Sequence, residues 1–467
     1  MIEDGVTIGL ETHVQLDTNT KLFCPCPNRH AEEPNALTCP ICLGHPGSRP
    51  AINEEALRQS VMVGEALGCD VSGKTRFARK TYFYPDMAKN FQVTQYDNPV
   101  AQNGQLKTEE QSVGIRRVHV EEDPASMVHK GGDISSAEYT LVDYNRAGRP
   151  LLEIVTEPDL SSPEEAREYL KELTGVLRYL GVYSPGSDFV LKSDANISLS
   201  GGSRVEVKNI TGISEIEKAL SYEISRQRQL RRRGREIGKQ TRSFNSSMGS
   251  TKPLREKESE EDYGYIVEPD LTSHTITEED VDTIKEDVPE LPRQKRKRLK
   301  SEYGLGSETA DSLVRERDFA DLFEKAAGQD SETVARLMVN TLRKVLNYHD
   351  SKITDSGVAA EDISFLACLL AEEDITERNA EKALRLVVED GVRARQAVEE
   401  QDLRKTDSSE TRKVAESVVE DETEAVKDYV SGEEDAINYL VGQVMSRTNG
   451  SADPSEAREM LEGVMGQ

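Results

Sequence analysis

Tryptophan is absent from this 467-residue chain, and aromatic residues make up only 5% of it. The tyrosines and phenylalanines lie mostly before residue 270, so aromatic lining of a pocket falls to the N-terminal part. No apolar run reaches the length a helix needs to cross a bilayer. The first residues, Met1-Ile2-Glu3-Asp4, are acidic where a signal peptide is basic, so a cytoplasmic protein is expected. Positive charge is scarce: 59 lysines and arginines face 86 acids, a net charge of −27. Such a balance opposes nonspecific nucleic-acid binding, and any RNA contact needs a local basic patch. The acids are spread along the whole chain, which fits solubility in high salt. Neither G-x-x-x-x-G-K-[ST] nor G-x-G-x-x-G occurs, so the two common nucleotide cradles are excluded and phosphate chemistry needs another site.

Cysteine is sparse but unevenly placed. Cys69 and Cys368 stand apart, whereas Cys24, Cys26, Cys39 and Cys42 fall in a C-x-C, twelve-residue, C-x2-C pattern. In a cytosolic chain such clustering points to metal rather than disulfides. Pro25, Pro27 and Pro40 stiffen both knuckles. The spacing is close to a four-thiolate zinc ribbon, a closed and structural Zn²⁺ site; reduced structural thiols are the alternative.

The length supports two to four domains. Residues 1–290 are strand-rich with Gly and Pro punctuation, and the rest is acidic and almost wholly helical. The fold class expected is α+β: an N-terminal domain (1–290) on an open, mostly antiparallel sheet, a helical domain (291–395) and a small helical tail (396–467) joined by the acidic segment 393–410. Helices are expected to start at Ser162, with a capping box and Pro163, and at Ser214, with Glu217 three residues on. In the C-terminal half they are expected near 308–327, 331–348, 360–373, 376–390, 408–430, 433–447 and 454–465.

Val6 to Leu16 alternates. Val6, Ile8, Leu10, Val14 and Leu16 share one face; Gly9, Glu11, His13 and Gln15 share the other. Val190 to Leu199 likewise sets Lys192, Asp194, Asn196 and Ser198 against apolar residues, and Arg204, Glu206 and Lys208 oppose Val205 and Val207. Leu151 to Val155 is apolar except for Glu153, a carboxylate costly to bury without a cation. These strands predict a sheet with one polar face. His119, Glu121, Glu122 and Asp123 add further ligands suited to a hard divalent ion. Alternation groups Glu121 with His119 and Glu122 with Val118 and Val120, and leaves open which glutamate faces His13. A buried ion-pair network is the alternative. Lys80, Tyr82, Tyr84 and Lys89, with Asn145 and Arg146, supply the cations and phenols a triphosphate site needs. The run Arg226, Arg228, Arg231, Arg232 and Arg233 before Gly234 is the clearest basic patch. It reads either as RNA-phosphate contact or as a helix C-terminus complemented by cations. A second basic run spans Arg293–Lys300.

Ile8-Gly9-Leu10-Glu11-Thr12-His13, the cysteine stretch, Tyr82-Phe83-Tyr84-Pro85-Asp86, His119-Val120-Glu121-Glu122-Asp123, Asp143-Tyr144-Asn145-Arg146-Ala147-Gly148, Glu153-Ile154-Val155-Thr156-Glu157-Pro158-Asp159 and Leu440-Val441-Gly442-Gln443-Val444-Met445 together resemble the B subunit of the tRNA-dependent aspartyl/glutamyl amidotransferases. The likeness covers nearly the whole chain. It implies a cradle-like catalytic domain, a helical domain and a tail that grips tRNA. It implies ATP-dependent phosphorylation of the side-chain carboxyl of Glu-tRNA(Gln) or Asp-tRNA(Asn), followed by attack of ammonia. The ammonia comes from glutamine in a partner amidase (glutaminase) of the same complex, and a small third subunit makes up the heterotrimer. The resemblance places Mg²⁺ on His13, Glu122 and Glu153, with Glu11 beside them, and zinc on Cys24, Cys26, Cys39 and Cys42. ATP and substrate would contact Lys80, Tyr82, Tyr84, Lys89, Asn145, Arg146, Lys192, Asp194 and Lys208.

The chain departs from the family pattern in three places. Asp123-Pro124-Ala125-Ser126 lacks the usual lysine, Lys192 stands near the usual arginine, and Gly264 separates Tyr263 from Tyr265 where an arginine is usual. Two rivals remain. One is a noncatalytic, zinc-containing tRNA-binding scaffold, which would not need Glu11, His13, Glu122 and Glu153 together. The other is the archaeal sister protein serving Glu-tRNA(Gln) only, whose large inserted domain has no room between 270 and 310.

Overall fold

The computed structural model describes residues 5–131, 137–184, 191–255, 263–328, 330–406, 408–433, 435–448 and 450–466. Residues 1–4 and Val190, which belong to segments read above, lie outside the described residues. The architecture is α+β, and the chain divides into two compact units, 1–292 and 293–467.

Among the described residues, twelve strands of the first unit join in one sheet. Its middle runs, in order, Val205–Thr211, Leu191–Leu199, Val6–Gln15, Pro150–Thr156 and Ser112–Glu122, each antiparallel to the next, while Val205–Thr211 pairs in parallel with Gln240–Asn245 on its other side. Strands rich in Val, Ile and Leu on alternate positions form here because each can bury one row while its backbone pairs on both sides. The apolar row of the Val6–Gln15 strand (Ile8, Leu10, Val14) is almost fully buried. It shares one core with the helices Glu54–Ala66, Pro163–Tyr179 and Ile213–Arg232, through residues such as Val63, Leu170, Leu173, Leu177, Ile216 and Leu220. With one face sealed by helices, the other is free to carry charge.

The Pro163 helix begins as its sequence predicts: the Ser162 hydroxyl accepts from Glu165 N and Pro163 occupies the first turn. The other helix starts at Ile213, not Ser214. Its N-cap is Gly212, at φ +92°, with no side-chain cap bond. A positive φ is glycine's to adopt, so the backbone and not the Ser–Glu pattern decides the start.

The second unit differs from the sequence reading in detail. The helix expected over 308–327 is two, Ser307–Leu313 and Arg317–Ala326. The 331–348 segment passes through a π turn at Leu337–Leu342. The 408–430 segment breaks at Glu422. The stretch 393–410 is not a loose tether: it holds the helix Ala394–Glu400, whose Ala394, Ala397 and Val398 are buried, and Leu403 O accepts from the Asn379 amide. The expected division at 395/396 therefore falls inside a packed helix. Three small apolar residues among acids are too weak a periodic signal to read from sequence. The last helices, Ala436–Arg447 and Pro454–Met465, close a small core of their own with Ala415 and Val418. The Arg293–Lys300 run lies on the helix Pro292–Tyr303, and much of its charge is spent internally. Lys295 pairs with Asp321 and, at 2.8 Å, with Glu324; Arg296 reaches Asp311 at 2.5 Å and Arg298 reaches Glu324 at 2.6 Å. No helix among the described residues is long and apolar enough to cross a membrane.

Candidate active site

Cross-strand register builds the site. His13 lies opposite Glu153 on one side and Lys192 on the other, and Glu153 lies opposite His119. The row His119–Glu153–His13–Lys192 therefore projects from four adjacent strands onto the polar face. One step along, Glu11 is paired with Asp194 and Val155. His13 Nε2 is 3.3 Å from a Glu153 oxygen and 3.9 Å from a Glu121 oxygen; His119 Nε2 is 3.4 Å and 3.9 Å from the same two carboxylates. Donor atoms of His13, Glu121 and Glu153 all lie within 4.8 Å of one another. One imidazole and two carboxylates at that spacing suit a small divalent cation, and the buried Nδ1 of His119 has no partner.

The electrostatics show the strain of this grouping. Burial opposes charge on His13, but its hydrogen bond to Glu153 and the Glu153 and Glu121 charges push it up to about 10. Burial would raise Glu153, yet the His119 and His13 interactions hold it well below the ordinary carboxylate range. Glu121 and Glu11 are both raised, by burial first and then by the Glu153 charge. Two acids that resist ionising beside a third mark a place where an added positive charge is favourable.

Glu122 is not part of this cluster, contrary to the assignment by resemblance. Strand alternation turns it to the opposite face, where Lys89 Nζ donates to both its oxygens at 2.5 and 2.6 Å and Val93 N donates at 3.0 Å. Glu121 takes the position beside His13. Lys89 is thereby committed to an ion pair behind the sheet and does not face the cluster.

Two continuous hollows cover the polar face. One, of about 890 Å³, is lined by Lys80, Arg117, His119, Glu121, Glu153, Arg204, Lys239 and Tyr265 among others. The second, of about 580 Å³, adds His13, Tyr82, Asp123, Arg146 and Lys192. Both include Glu11, Lys80, Glu121, Glu153, Lys208 and Tyr263. Lys80 Nζ sits 4.6 Å from the Tyr263 ring centre. Lys208 donates to Asp194 at 3.0 Å and lies 3.5 Å from Glu206, so it remains charged despite burial. Asn196 donates to Glu11 at 2.8 Å.

Behind the site, the sulfurs of Cys24, Cys26, Cys39 and Cys42 converge within 4.8 Å. Hydrogen bonding from Cys24 first, then the Cys39 N–H at 3.2 Å and the Lys21 ammonium at 3.8 Å, pulls Cys42 down to about 5 against the effect of burial. A thiolate among clustered thiols fits a soft tetrahedral metal. Lys21, 1% exposed, is its built-in counter-charge and also donates to the carbonyls of Leu37 and Tyr144.

Residues 6–282 match the family described as "GatB/GatE catalytic domain", and residues 321–465 match the "GatB domain". Over 97% of its length the chain is 45% identical to the B subunit of the aspartyl/glutamyl-tRNA(Asn/Gln) amidotransferase of Haloquadratum walsbyi, covering 96% of that protein. The same-named proteins of Natronomonas pharaonis and Methanococcoides burtonii are 44% and 43% identical over 98% and 99% of the chain, covering 97% and 98% of each. The chain belongs to the family of amidotransferase B subunits.

Other residues singled out in the sequence fall unevenly on this frame. Asn145 is buried and structural: it accepts from Leu37 N at 2.7 Å and donates to Glu33 O at 2.8 Å, clamping the cysteine loop. Arg146 does reach the hollow, 3.5 Å from Asp123, while donating to the carbonyls of Pro124 and Ala125. Tyr82 lines the hollow and Tyr84 stacks on it at 5.7 Å. Arg226 is not a free cation. It donates to Glu223, a fully buried carboxylate that also accepts from Gln227 at 2.8 Å and Thr251 at 3.1 Å. Arg231 donates to Ser200 O. Arg228, Arg232 and Arg233 remain exposed. Arg117, Lys239 and Tyr96 were not singled out from the sequence; Arg117 shares the parity of His119, the one signal that marks its face.

Proposed function

We propose that this chain catalyses the ATP-dependent step of tRNA-dependent amidation, activating the side-chain carboxyl of Glu-tRNA(Gln) or Asp-tRNA(Asn) and passing it to ammonia. The observation that carries this reading is the polar hollow of about 580 Å³ in which Glu11, His13, Glu121 and Glu153 meet with Lys80, Arg146, Lys192 and Lys208 at its walls. His13, Glu121 and Glu153 would hold Mg²⁺, which supplies positive charge against the transferring phosphoryl group. In the first step a carboxylate oxygen attacks the terminal phosphorus of ATP and ADP leaves. In the second, ammonia attacks the acyl carbon, phosphate leaves, and the nitrogen loses a proton. Phosphate is the better leaving group, because a free carboxylate has only oxide or hydroxide to expel.

The chain's residues have distinct tasks in this scheme. Lys80 and Lys192 neutralise the attacking and leaving oxygens. Lys192 is lowered by burial and by Arg146, so it is the cation most readily compensated by an incoming anion. Asp194 and Glu206 hold Lys208 in place, and Asn196 orients Glu11. Cys24, Cys26, Cys39 and Cys42 would hold Zn²⁺, a closed crosslink that keeps residues 20–53 against the 143–148 turn and so keeps Arg146 in the hollow. Arg228, Arg232, Arg233 and the tail helices would contact tRNA. A partner amidase would release ammonia from glutamine, and a small third subunit would join the two.

A scaffold that only bound tRNA would have no use for two buried carboxylates packed between two imidazoles, at a standing electrostatic cost. The test is ATP turnover dependent on misacylated tRNA in the complex with the partner subunits, measured beside amide formation on both tRNAs. Amidation that proceeds without ATP turnover on this chain would overturn the proposal.

A further inference from the structure

Amide formation leaves one proton to move. Acyl phosphate and ammonia become amide and hydrogen phosphate, so a proton departs from the attacking nitrogen and ends on a phosphate oxygen. A positioned general base speeds such a transfer, provided that it is uncharged and not already bonded to a cation. Among the carboxylates and imidazoles lining the smaller hollow, most are committed elsewhere. His13 and Glu153 lie 3.3 Å apart in the ion cluster, together with Glu121. Glu11 accepts from Asn196, Asp123 lies 3.5 Å from Arg146, and Asp194 accepts from Lys208. His129 and Asp86 are left.

His129 reaches the hollow from a separate element. The strands Ser126–Lys130 and Tyr139–Asp143 pair with each other and not with the twelve-stranded sheet. Alternation turns Met127 and His129 to the hollow, which both line, and leaves Val128 and Lys130 exposed on the outer side. Thr140 is the direct cross-strand partner of His129, and its hydroxyl lies 2.8 Å from Nδ1. That contact fixes the ring and occupies one nitrogen, which leaves Nε2 for the hollow. Unlike His13 and His119, His129 has no carboxylate within ion-pair distance among the described residues. An imidazole without a charge partner is the side chain suited to taking a proton and giving it back near neutral pH. Asp86 is the rival, since its Oδ1 is buried without a hydrogen-bond partner and burial raises the carboxyl. A carboxylate is ordinarily the weaker base of the two.

We propose that His129 is the proton shuttle of the amide-forming step. Its Nε2 takes a proton from the nitrogen as the C–N bond forms, and returns it to the phosphate oxygen as the C–O bond breaks. Thr140 holds the ring throughout. The imidazole begins and ends the step neutral, and the proton lost by ammonia is the one carried away on hydrogen phosphate. This rests on the amidation reading above and concerns its second step only.

The experiment uses the full chain with its partner subunits, misacylated tRNA and ATP. Ammonium salt replaces glutamine, so that the partner amidase is bypassed. His129→Gln, Thr140→Val and Asp86→Asn are compared with the unaltered protein. The first-turnover burst of ADP and the formation of amide are followed separately. His129→Gln should form amide on the order of 10²-fold more slowly, as for loss of a general base. Its ADP burst should persist, and its KM values for ATP and tRNA should stay within about twofold, since the first step is untouched. Thr140→Val should show a smaller loss in the same step. Hydroxylamine supplied in place of ammonia gives an adduct that sheds its proton more readily. It should therefore react with His129→Gln nearly as fast as with the unaltered protein. Loss of the burst together with amide formation would place His129 in the first step or in the fold, and would overturn the proposal. So would an equal loss with hydroxylamine, or unchanged amidation. A second-step loss in Asp86→Asn but not in His129→Gln would overturn it in favour of Asp86. Failure of the amidation reading itself appears separately, as an unaltered complex with no tRNA-dependent ADP burst.

Discussion

Glu121 and Glu122 are chain neighbours, yet replacing each by glutamine should give opposite defects. Glu121 stands in the ion cluster, raised by burial and by Glu153. Glu121→Gln removes a ligand and relieves like-charge repulsion, so folding should be unharmed while tRNA-dependent ATP turnover falls on the order of 10²–10³-fold, as for loss of one preorganised electrostatic contact. Glu122 is locked to Lys89 behind the sheet, with side-chain exposures of 7% and 14%. Glu122→Gln leaves that ammonium buried without its counter-charge, a defect that costs about 3–5 kcal/mol. For a unit of 292 residues, at about 2 °C per kcal/mol, Tm should fall by roughly 6–10 °C. Changing Lys89 to methionine together with Glu122→Gln should recover much of the loss, because the stranded charge is gone. The assays are thermal unfolding of the isolated chain and ATP turnover in the complex below Tm. If Glu122→Gln abolished turnover with Tm unchanged, and Glu121→Gln stayed active, the face assignment would be refuted.

The remaining predictions concern metal, tRNA and pH. Purified protein should carry about one zinc per chain; Cys24→Ser should release it, and Lys21→Met should speed release to a chelator while Lys21→Arg restores retention in part. If Lys21→Met left the release rate unchanged, the counter-charge role would be lost. Truncation from residue 408, which spares the packed helix Ala394–Glu400, should weaken tRNA binding with little change in the unfolding of residues 1–292, as should neutralising Arg228, Arg232 and Arg233 together; unaltered tRNA affinity in both would rule out these contacts. Burial would raise Glu268, but two hydrogen bonds donated by Arg79 at 2.7 and 2.8 Å hold it below the ordinary value of 4.5. Its contribution is therefore fully present above pH 4.5 and drains as pH falls toward the depressed folded-state value. Arg79→Met should flatten that part of the stability curve, and parallel acid limbs in variant and parent would disprove the assignment.

The sequence was informative wherever the physics is local. Alternation marks a strand whether or not its partner is known, so the sided character of Val6–Leu16 and of Arg204–Lys208 was legible in single segments. Cysteine spacing marked the knuckle for the same reason. Where a short signal was diluted, reading failed: Ala394, Ala397 and Val398 were lost among acids, and Gly212 started a helix that the Ser–Glu pattern placed one residue later. The arginine run shows a different failure. Five cations look alike in sequence, but Arg226 lies one turn from Glu223, and burial of that carboxylate turns an apparent RNA contact into a structural clamp.

What the chain alone determined, then, is the class of its parts: an α+β protein with a polar strand face, a four-thiolate knuckle, an acidic helical second half, and motif order sufficient to place it in its family. What only the tertiary structure decided is adjacency. Alternation says that His119 and Glu121 share a face but not which face meets His13; that depends on Pro150–Thr156 inserting between Val6–Gln15 and Ser112–Glu122, with Glu153 in register with both histidines. Strand pairing joins residues more than a hundred positions apart, and a shift of one residue would invert every side chain in the row. No local pattern encodes that choice. It is made by the shared hydrophobic core beneath the sheet, which accepts Ile8, Leu152 and Val118 on its side in one register only, and so leaves Glu121, Glu153 and His13 to meet on the other.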